Sequence, residues 1–226
     1  MGLKLEQVVP WGRSLAEYSK MFDLTQTDLR HRILDCGGGP ASFNAEMTDQ
    51  GYSVISCDPV YQFSTAEIKR RIDETYAVIM QQVEVNQHCY VWREIQSPQH
   101  LGQVRMAAMQ RFLADFPLGV QQGRYQAHEL PVLPFSSGQF DLALCSHLLF
   151  TYSDHLSLSF HLDSIRELCR VAAEVRLFPL LTAAGEPSPF LSAIVEELTA
   201  QGYTIQIKQV PYEFQKSGNQ LLQVHL

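Results

Sequence analysis

The sequence contains no apolar run of the roughly 18 residues that a membrane-spanning helix needs. Its first residues, MGLKLEQVVPWGRSL, also lack the long apolar core that is typical of a signal peptide. The five cysteines are odd in number, and their spacing fits neither a disulfide framework nor a zinc site. These absences predict a cytoplasmic chain with no membrane span and no metal. Three of the cysteines lie in apolar runs and are predicted to be small buried side chains: Cys36, Cys57 and Cys145.

Basic residues are the minority, with 17 Lys and Arg against 24 Asp and Glu, so the formal net charge is -7. This balance gives no electrostatic reason to expect nucleic acid or an anionic membrane as a partner. The chain has 226 residues, of which 46% are hydrophobic and 18% charged, and it contains no internal repeat. These values are typical of one globular domain over residues 1–226, and they leave its oligomeric state open.

Predicted strands and helices alternate along most of the chain. A short amphipathic helix is expected at residues 13–22, with Ser14 as its cap, and a later one is expected to begin at Ser188 and Pro189. The predicted strands lie in RILDC, YSVISCDPV, YQAHEL, FDLALCSHLLF, AEVRLFPLL, YTIQIKQV and NQLLQVHL. Alternation predicts a mostly parallel sheet with helices on both faces, and the last two strands predict an antiparallel hairpin at one edge. Residues 62–124 have helical composition and are too long for a simple connection, which predicts a helical insertion.

Three consecutive glycines, Gly37, Gly38 and Gly39, follow the first predicted strand directly. Glycine inside a helix or strand lowers its stability by roughly 0.5–1 kcal/mol relative to alanine, so three together indicate that a ligand must approach the backbone. In open parallel sheets ligands bind beyond the carboxyl ends of the strands, where the N-terminus of the next helix offers free N–H groups. The glycine loop is therefore the predicted ligand site.

A dinucleotide-binding fingerprint, G-x-G-x-x-G, fits this loop only in part. Gly37 and Gly39 occupy its first two glycine positions, but Ser42 occupies the third. The predicted terminal hairpin also counts against a dinucleotide-binding sheet. An NAD-dependent oxidoreductase therefore remains as the weaker alternative.

The stretch ILDCGGGPA resembles motif I of the class I S-adenosylmethionine (SAM)-dependent methyltransferases, hhD-x-G-x-G-x-G, except that Ala41 replaces the last glycine. An acid, Asp58, ends the second strand, as in that family. HELPVLPF resembles the family's G-D-A-x-x-L-P-F with Glu129 in place of aspartate, and FDLALCSHLLF resembles its fourth strand. The resemblance covers most of residues 32–226 and is thin over 62–124.

This resemblance implies a three-layer αβα, Rossmann-like sandwich with a mostly parallel seven-stranded sheet. It implies SAM as cofactor, S-adenosylhomocysteine (SAH) as product, and in-line transfer of a methyl group to an acceptor. The segment SHLL lacks the N/D-P-P-Y/F of methyltransferases that act on nucleobases. The acceptor is therefore expected to be a small molecule rather than DNA.

The resemblance also implies a role for each site residue. The glycine loop, with Cys36, passes close to the amino acid part of SAM, and Asp35 holds that loop or faces the ligand's ammonium. Asp58 accepts hydrogen bonds from both ribose hydroxyls. The remaining cofactor-binding predictions are Glu129 on the adenine amine, Leu130 or Pro59 against the adenine ring, and Ser146 and His147 near the methionine and methyl groups. Tyr18 is expected either to close over SAM or to be an aromatic residue of the core, and an exposed loop residue is the alternative for Glu129.

No residue is identified as catalytic from the sequence. His147 is the best-placed general base, and a histidine that only packs locally is the alternative. Tyr152, Asp154 and His155 are candidates for the acceptor pocket, while the insertion contributes lid candidates: Tyr76, Gln81, Gln82, Trp92, Arg93 and Arg105. Because Ala41 and Glu129 depart from the family pattern and a clear base is missing, a non-catalytic SAM- or SAH-binding regulatory module remains a second alternative.

Overall fold

The computed structural model describes residues 9–226. Its strands are β1 (Ile33–Cys36), β2 (Val54–Cys57), β3 (Tyr125–Gln126), β4 (Phe140–Ser146), β5 (Ala172–Phe178), β6 (Thr204–Gln209) and β7 (Gln220–His225). Its α-helices are α1 (Leu15–Met21), α2 (Phe43–Asp49), α3 (Thr65–Val85), α4 (Pro98–Gln121), α5 (Leu158–Val171) and α6 (Leu191–Ala200).

All seven strands lie in one sheet of order β3-β2-β1-β4-β5-β7-β6. The first five strands pair in parallel, and β7 runs antiparallel to both β5 and β6. The order reverses at β1, which pairs with β2 on one side and β4 on the other, so a crevice is expected at the carboxyl end of β1. This arrangement confirms the predicted αβα, Rossmann-like fold of class I methyltransferases.

The two faces of the sheet carry separate cores because strand residues alternate between faces. Ile33 packs with residues of α1 and α2, whereas Leu34 packs with residues of α5 and α6. At the carboxyl edge Cys36 stands in register with Cys57 on one neighbour and Cys145 on the other. All three thiols are buried, as predicted, and all five cysteines of the chain are free.

The predicted insertion is built mainly from α3 and α4. Both helices have serine N-caps, Ser64 in a capping box with Glu67, and Ser97 ahead of a proline. They pack on the β3 edge through an aromatic cluster that is buried between the helices and the sheet: Tyr61, Phe112, Phe116 and Tyr125. The end of α3 and the start of α4 therefore lie beside the carboxyl edge of the sheet.

Three local predictions are corrected by the structure. The third strand is only two residues long, because His128 N–H donates to the Gln126 carbonyl (2.9 Å) and turns the chain out of the sheet. Helix α6 begins at Leu191 rather than at Pro189. Its N-cap is Phe190 rather than Ser188, and the Ser188 hydroxyl accepts from the Phe190 N–H at 3.3 Å and lies 2.7 Å from the Ser153 hydroxyl. The helix expected at residues 13–22 is shorter, although Ser14 does cap it.

The prediction about a signal peptide falls partly on residues 1–8, which lie outside the described residues. Within residues 9–226, no helix combines the length and the apolar character that crossing a membrane requires. In the same part of the chain, no cluster of three or more His, Cys, Asp or Glu side chains is arranged to hold a metal ion.

Candidate functional site

Two cavities meet at the glycine loop on the carboxyl edge of the sheet. The larger, here called the groove, has a volume of about 830 Å³ and runs over the ends of β1 and β2. The smaller, here called the chamber, has a volume of about 150 Å³ and lies between the loop, the N-terminal segment and the insertion. Both are lined by Gly37, Gly39, Asp58 and Leu148, so a ligand in one cavity can reach the other.

The glycine loop needs glycine at more than one position. Gly37 and Gly39 have φ values of +72° and +52°, a region that other residues rarely adopt. At Gly38 a Cβ atom would lie 2.1 Å from Oδ2 of Asp35, which is far inside contact distance. The loop thus exposes backbone to both cavities while it covers a carboxyl group below.

That covered carboxyl group belongs to Asp35, whose side chain is buried under the loop. The Tyr18 hydroxyl donates to Asp35 Oδ1 (3.0 Å), and the Ser56 hydroxyl donates to Oδ2 (3.0 Å). Burial raises the pKa of Asp35 to about 7, against the opposing effect of these two hydrogen bonds. Asp35 lines neither cavity within the described residues, so of its two expected roles the geometry favours holding the loop.

Asp58 ends β2 and lines both cavities. Its Oδ2 accepts from Gly39 N–H (2.9 Å), and its Oδ1 accepts from Val60 N–H (2.8 Å). Burial raises the pKa of this carboxyl group, and the charge of Glu129 adds to the shift. Each oxygen accepts only one protein hydrogen bond in the described residues, so each retains acceptor capacity toward the groove.

Apolar residues line much of the rest of the groove, and its charged residues besides Asp58 have both signs: Glu67, Glu129, Arg70 and Arg71. Pro59, Leu130 and the half-exposed Phe63 lie along it, and Cys36 forms part of its floor. Glu129 lines the groove and is solvent-exposed. The structure therefore brings the predicted adenine-side residues together at one cavity.

Ser146 ends β4, His147 follows it, and both line the chamber. His147 has a φ of +51°, and its Nδ1 lies 2.9 Å from the Ser146 hydroxyl. Burial lowers the pKa of His147 well below its usual value, and the positive charges of Arg13 and Arg105 lower it further. The imidazole is therefore neutral at physiological pH, and its conjugate acid is disfavoured, which makes it a weak base.

The chamber is walled by segments that lie far apart in sequence. Trp11 and Arg13 come from the N-terminal segment, Arg105 from α4, and Tyr212 and Phe214 from the loop between β6 and β7. Of the acceptor-pocket candidates, Tyr152 lines the chamber, but Asp154 and His155 line neither cavity. Of the lid candidates, Arg105 is the member that reaches the chamber, and the others line neither cavity within residues 9–226: Tyr76, Gln81, Gln82, Trp92 and Arg93.

Two guanidinium groups face the chamber. Arg105 is 1% exposed, and its Nη1 pairs with Glu17 at 2.5 and 2.6 Å. Its Nη2 donates to the Tyr212 hydroxyl at 3.3 Å. Arg13 donates from Nη1 to the Trp11 carbonyl at 3.0 Å. The sequence analysis did not identify Arg13 as a site residue. The sequence feature that could have indicated it is an arginine directly before the helix cap in an otherwise apolar segment.

Comparison with known proteins gives one extended sequence match. No protein-family model matches the chain. The uncharacterized protein MJ0045 of Methanocaldococcus jannaschii is 31% identical over 221 residues, which cover 97% of each chain.

The structure is also similar to several solved structures. Magnesium protoporphyrin IX methyltransferase from Synechocystis PCC 6803, with bound SAM, has a TM-score of 0.46 at 14% identity, over 88% of this chain and 72% of that one. A SAM-dependent methyltransferase from Methanosarcina mazei has a TM-score of 0.44 at 15% identity, over 87% and 91%. The fold assignment itself rests on the strand order given above. The chain belongs to the same family as the M. jannaschii protein MJ0045, and its fold is that of the class I methyltransferases.

Proposed function

We propose that the chain is a SAM-dependent methyltransferase that acts on a small molecule. The observation that supports this most directly is the position of Asp58. Its carboxylate is anchored by Gly39 and Val60 at the point where the groove meets the chamber. A nucleoside held there through its sugar has room for its base in the groove and for its reactive end in the chamber.

The residues of the groove fit SAM by their chemistry. Two vicinal ribose hydroxyls would donate to the remaining acceptor positions of Asp58, one to each oxygen. Leu130 and Pro59 supply apolar surface for a planar base, and Glu129 supplies an acceptor for an exocyclic amine. The backbone of Gly37, Gly38 and Gly39 is accessible to the amino acid part, since no side chain shields it.

When bound, SAM supplies an activated methyl group on a sulfonium, whose transfer leaves a neutral thioether. The contribution of the protein is then mainly to align the acceptor with that methyl group and to exclude water. The chamber provides the required enclosure, with Tyr18, Ser146 and His147 at its junction with the loop. Because His147 is a weak base, we propose that alignment rather than proton removal is the main contribution of these residues.

Binding of SAH tests the proposed function. We expect the parent protein to bind SAH in calorimetry and Asp58→Ala to weaken the affinity about 100-fold, since two hydrogen bonds to a charged acceptor are lost. Asp154→Ala is the matched control, because Asp154 is an exposed carboxylate that lines neither cavity. If the parent binds no SAH, or Asp58→Ala binds it as well as the parent, the proposal fails.

A further inference from the structure

The charge of the chamber is unbalanced. Glu17 is the carboxylate that contacts Arg105, and it also accepts from the Tyr212 hydroxyl at 3.1 Å. Arg13 has no carboxylate within ion-pair distance in residues 9–226. Glu17 attracts Arg13 only from a distance, while Arg105 repels it, and burial together with that repulsion lowers the pKa of Arg13. Within residues 9–226, Glu17 is thus the carboxylate paired with these two guanidinium groups, while Asp58, which also lines the chamber, accepts from the N–H groups of Gly39 and Val60.

Both guanidinium groups also have an unused donor. The Nε atoms of Arg13 and Arg105 are buried and have no hydrogen-bond partner in the described part of the chain. A buried charge that is neither paired nor fully hydrogen-bonded is costly, so proteins rarely keep one without a use. The unpaired charge and donors beside a cavity indicate that an anion completes this site.

Bound SAM would not remove the imbalance. Its sulfonium and ammonium each carry one positive charge and its carboxylate one negative charge, so it adds a net positive charge to the chamber. The other carboxylate of the chamber lining, Asp58, is already assigned to the ribose in the proposed function, and much of the remaining wall is apolar or aromatic: Val9, Trp11, Ile79, Val83, Tyr90, Leu101 and Phe214.

We propose that the methyl acceptor is a small aromatic or apolar anion whose carboxylate is held by the guanidinium of Arg13, with Arg105 beside it. This inference rests on the proposed function, because it names the substrate class for the same site. Arginine suits the role because its planar group binds a carboxylate through two parallel hydrogen bonds. The chamber volume of about 150 Å³ is comparable to that of a cavity that admits benzene, and because the reactive end of SAM shares this space, the volume sets an upper limit on the size of the acceptor.

The test compares benzoate with its neutral isostere benzamide, each titrated into the full chain saturated with SAH. We expect benzoate to bind about tenfold or more tightly than benzamide, as a charge-assisted hydrogen-bonded pair predicts. Arg13→Gln should abolish this preference and Arg13→Lys should keep part of it. Arg93→Gln is the matched control, because Arg93 is an exposed arginine of the insertion that lines neither cavity.

A second measurement distinguishes the acceptor from the cofactor as the source of the carboxylate. SAH and 5′-methylthioadenosine share the nucleoside thioether, but only SAH has the amino acid part. We expect Arg13→Gln to bind both as the parent does. If Arg13→Gln loses affinity for SAH but not for 5′-methylthioadenosine, the guanidinium serves the cofactor and the inference is overturned.

The remaining outcomes are equally decisive. Equal binding of benzoate and benzamide to the parent, or binding of neither, overturns the inference even if SAH binds. If the parent binds neither nucleoside but prefers benzoate through Arg13, the proposed function fails while the anion site remains.

Discussion

The groove and the chamber share the glycine loop but differ in almost every other respect. The groove lies over the ends of neighbouring strands and is also lined by residues 9–10 and by α3, and its charged residues have both signs: Asp58, Glu67, Glu129, Arg70 and Arg71. The chamber is built from the N-terminal segment, the insertion and the β6–β7 loop, and two arginines face it. The sheet topology positions the groove at the strand ends, although the N-terminal segment and α3 also line it. The chamber depends on more of the added segments, because α3, α4 and the β6–β7 loop all contribute to its walls.

This contrast distinguishes the part of the site that the sheet positions from the part that the added segments form. A groove defined by strand ends can hold the same cofactor in any chain with this sheet. A chamber made from added segments can change its shape and charge without altering the sheet. We infer that recognition of the acceptor resides in the segments that wall the chamber, and the three predictions below test how each cavity depends on its own charges and contacts.

The largest expected effect comes from breaking the buried ion pair of the chamber. Arg105→Met leaves the Glu17 carboxylate, whose side chain is only 12% exposed, without its cation. We expect the free energy of unfolding to fall by about 3–5 kcal/mol, measured by denaturant titration.

The control for this prediction is an exposed pair of the same kind. Lys20 and Glu94 lie 2.6 Å apart with side chains 42% and 69% exposed, so Lys20→Met should cost less than about 1 kcal/mol. The double variant Glu17→Gln/Arg105→Met should recover part of the loss, since glutamine still serves the capping box at α1. A loss for Arg105→Met as small as that for Lys20→Met would contradict the assignment of a buried pair.

The second effect concerns the carboxyl group under the glycine loop. Burial raises the pKa of Asp35 to about 7 in the folded chain from its ordinary value of 3.8, so between these pH values the folded state retains a proton that the unfolded state has lost. Stability from this group is therefore fully present below about pH 4 and declines by about 1.4 kcal/mol per pH unit up to about pH 7.

Asp35→Asn removes this titration, so its stability relative to the parent should rise across the same interval. Unfolding curves of both proteins at several pH values between 4 and 8 measure the difference. A difference that does not change with pH would show that Asp35 is ionised throughout.

The smallest effect is expected at the contact that joins the N-terminal segment to the loop. A Cβ on Gly12 would lie 2.0 Å from the Pro40 carbonyl oxygen, so Gly12→Ala must move one backbone segment from the other. We expect a loss of about 1–3 kcal/mol together with weaker SAH binding. Gly51→Ala, at a surface glycine with φ of +80° and open space around it, should lower stability by about 1 kcal/mol with SAH affinity unchanged.

Much of the groove is predictable from sequence for a physical reason. Gly37 and Asp58 each lie directly after the end of a parallel strand, and parallel strands bring their carboxyl ends to one edge. Short apolar runs bounded by turn residues are sufficient to locate those ends. The role of each residue toward a ligand remains a prediction.

The chamber was not predictable in the same way. Arg13 and Tyr212 are brought together by tertiary packing, which leaves no periodicity in either local sequence. The prediction for Ser188 was wrong by two positions: its hydroxyl accepts from the Phe190 N–H at 3.3 Å just before the helix begins, and it also contacts Ser153 at 2.7 Å, a partner 35 residues away that no local pattern indicates. Local sequence patterns predicted the helices and strands, whereas side-chain contacts between distant segments determined the partners of the residues at their ends.

Glu17 connects three distant parts of the chain. It caps its own helix, pairs with Arg105 at a separation of 88 residues and accepts from Tyr212 at a separation of 195. Contacts at such separations require most of the chain to be ordered first. We therefore expect a chain interrupted before its last hairpin to lack a finished acceptor pocket, so that the capacity to select a substrate arises only when synthesis is nearly complete.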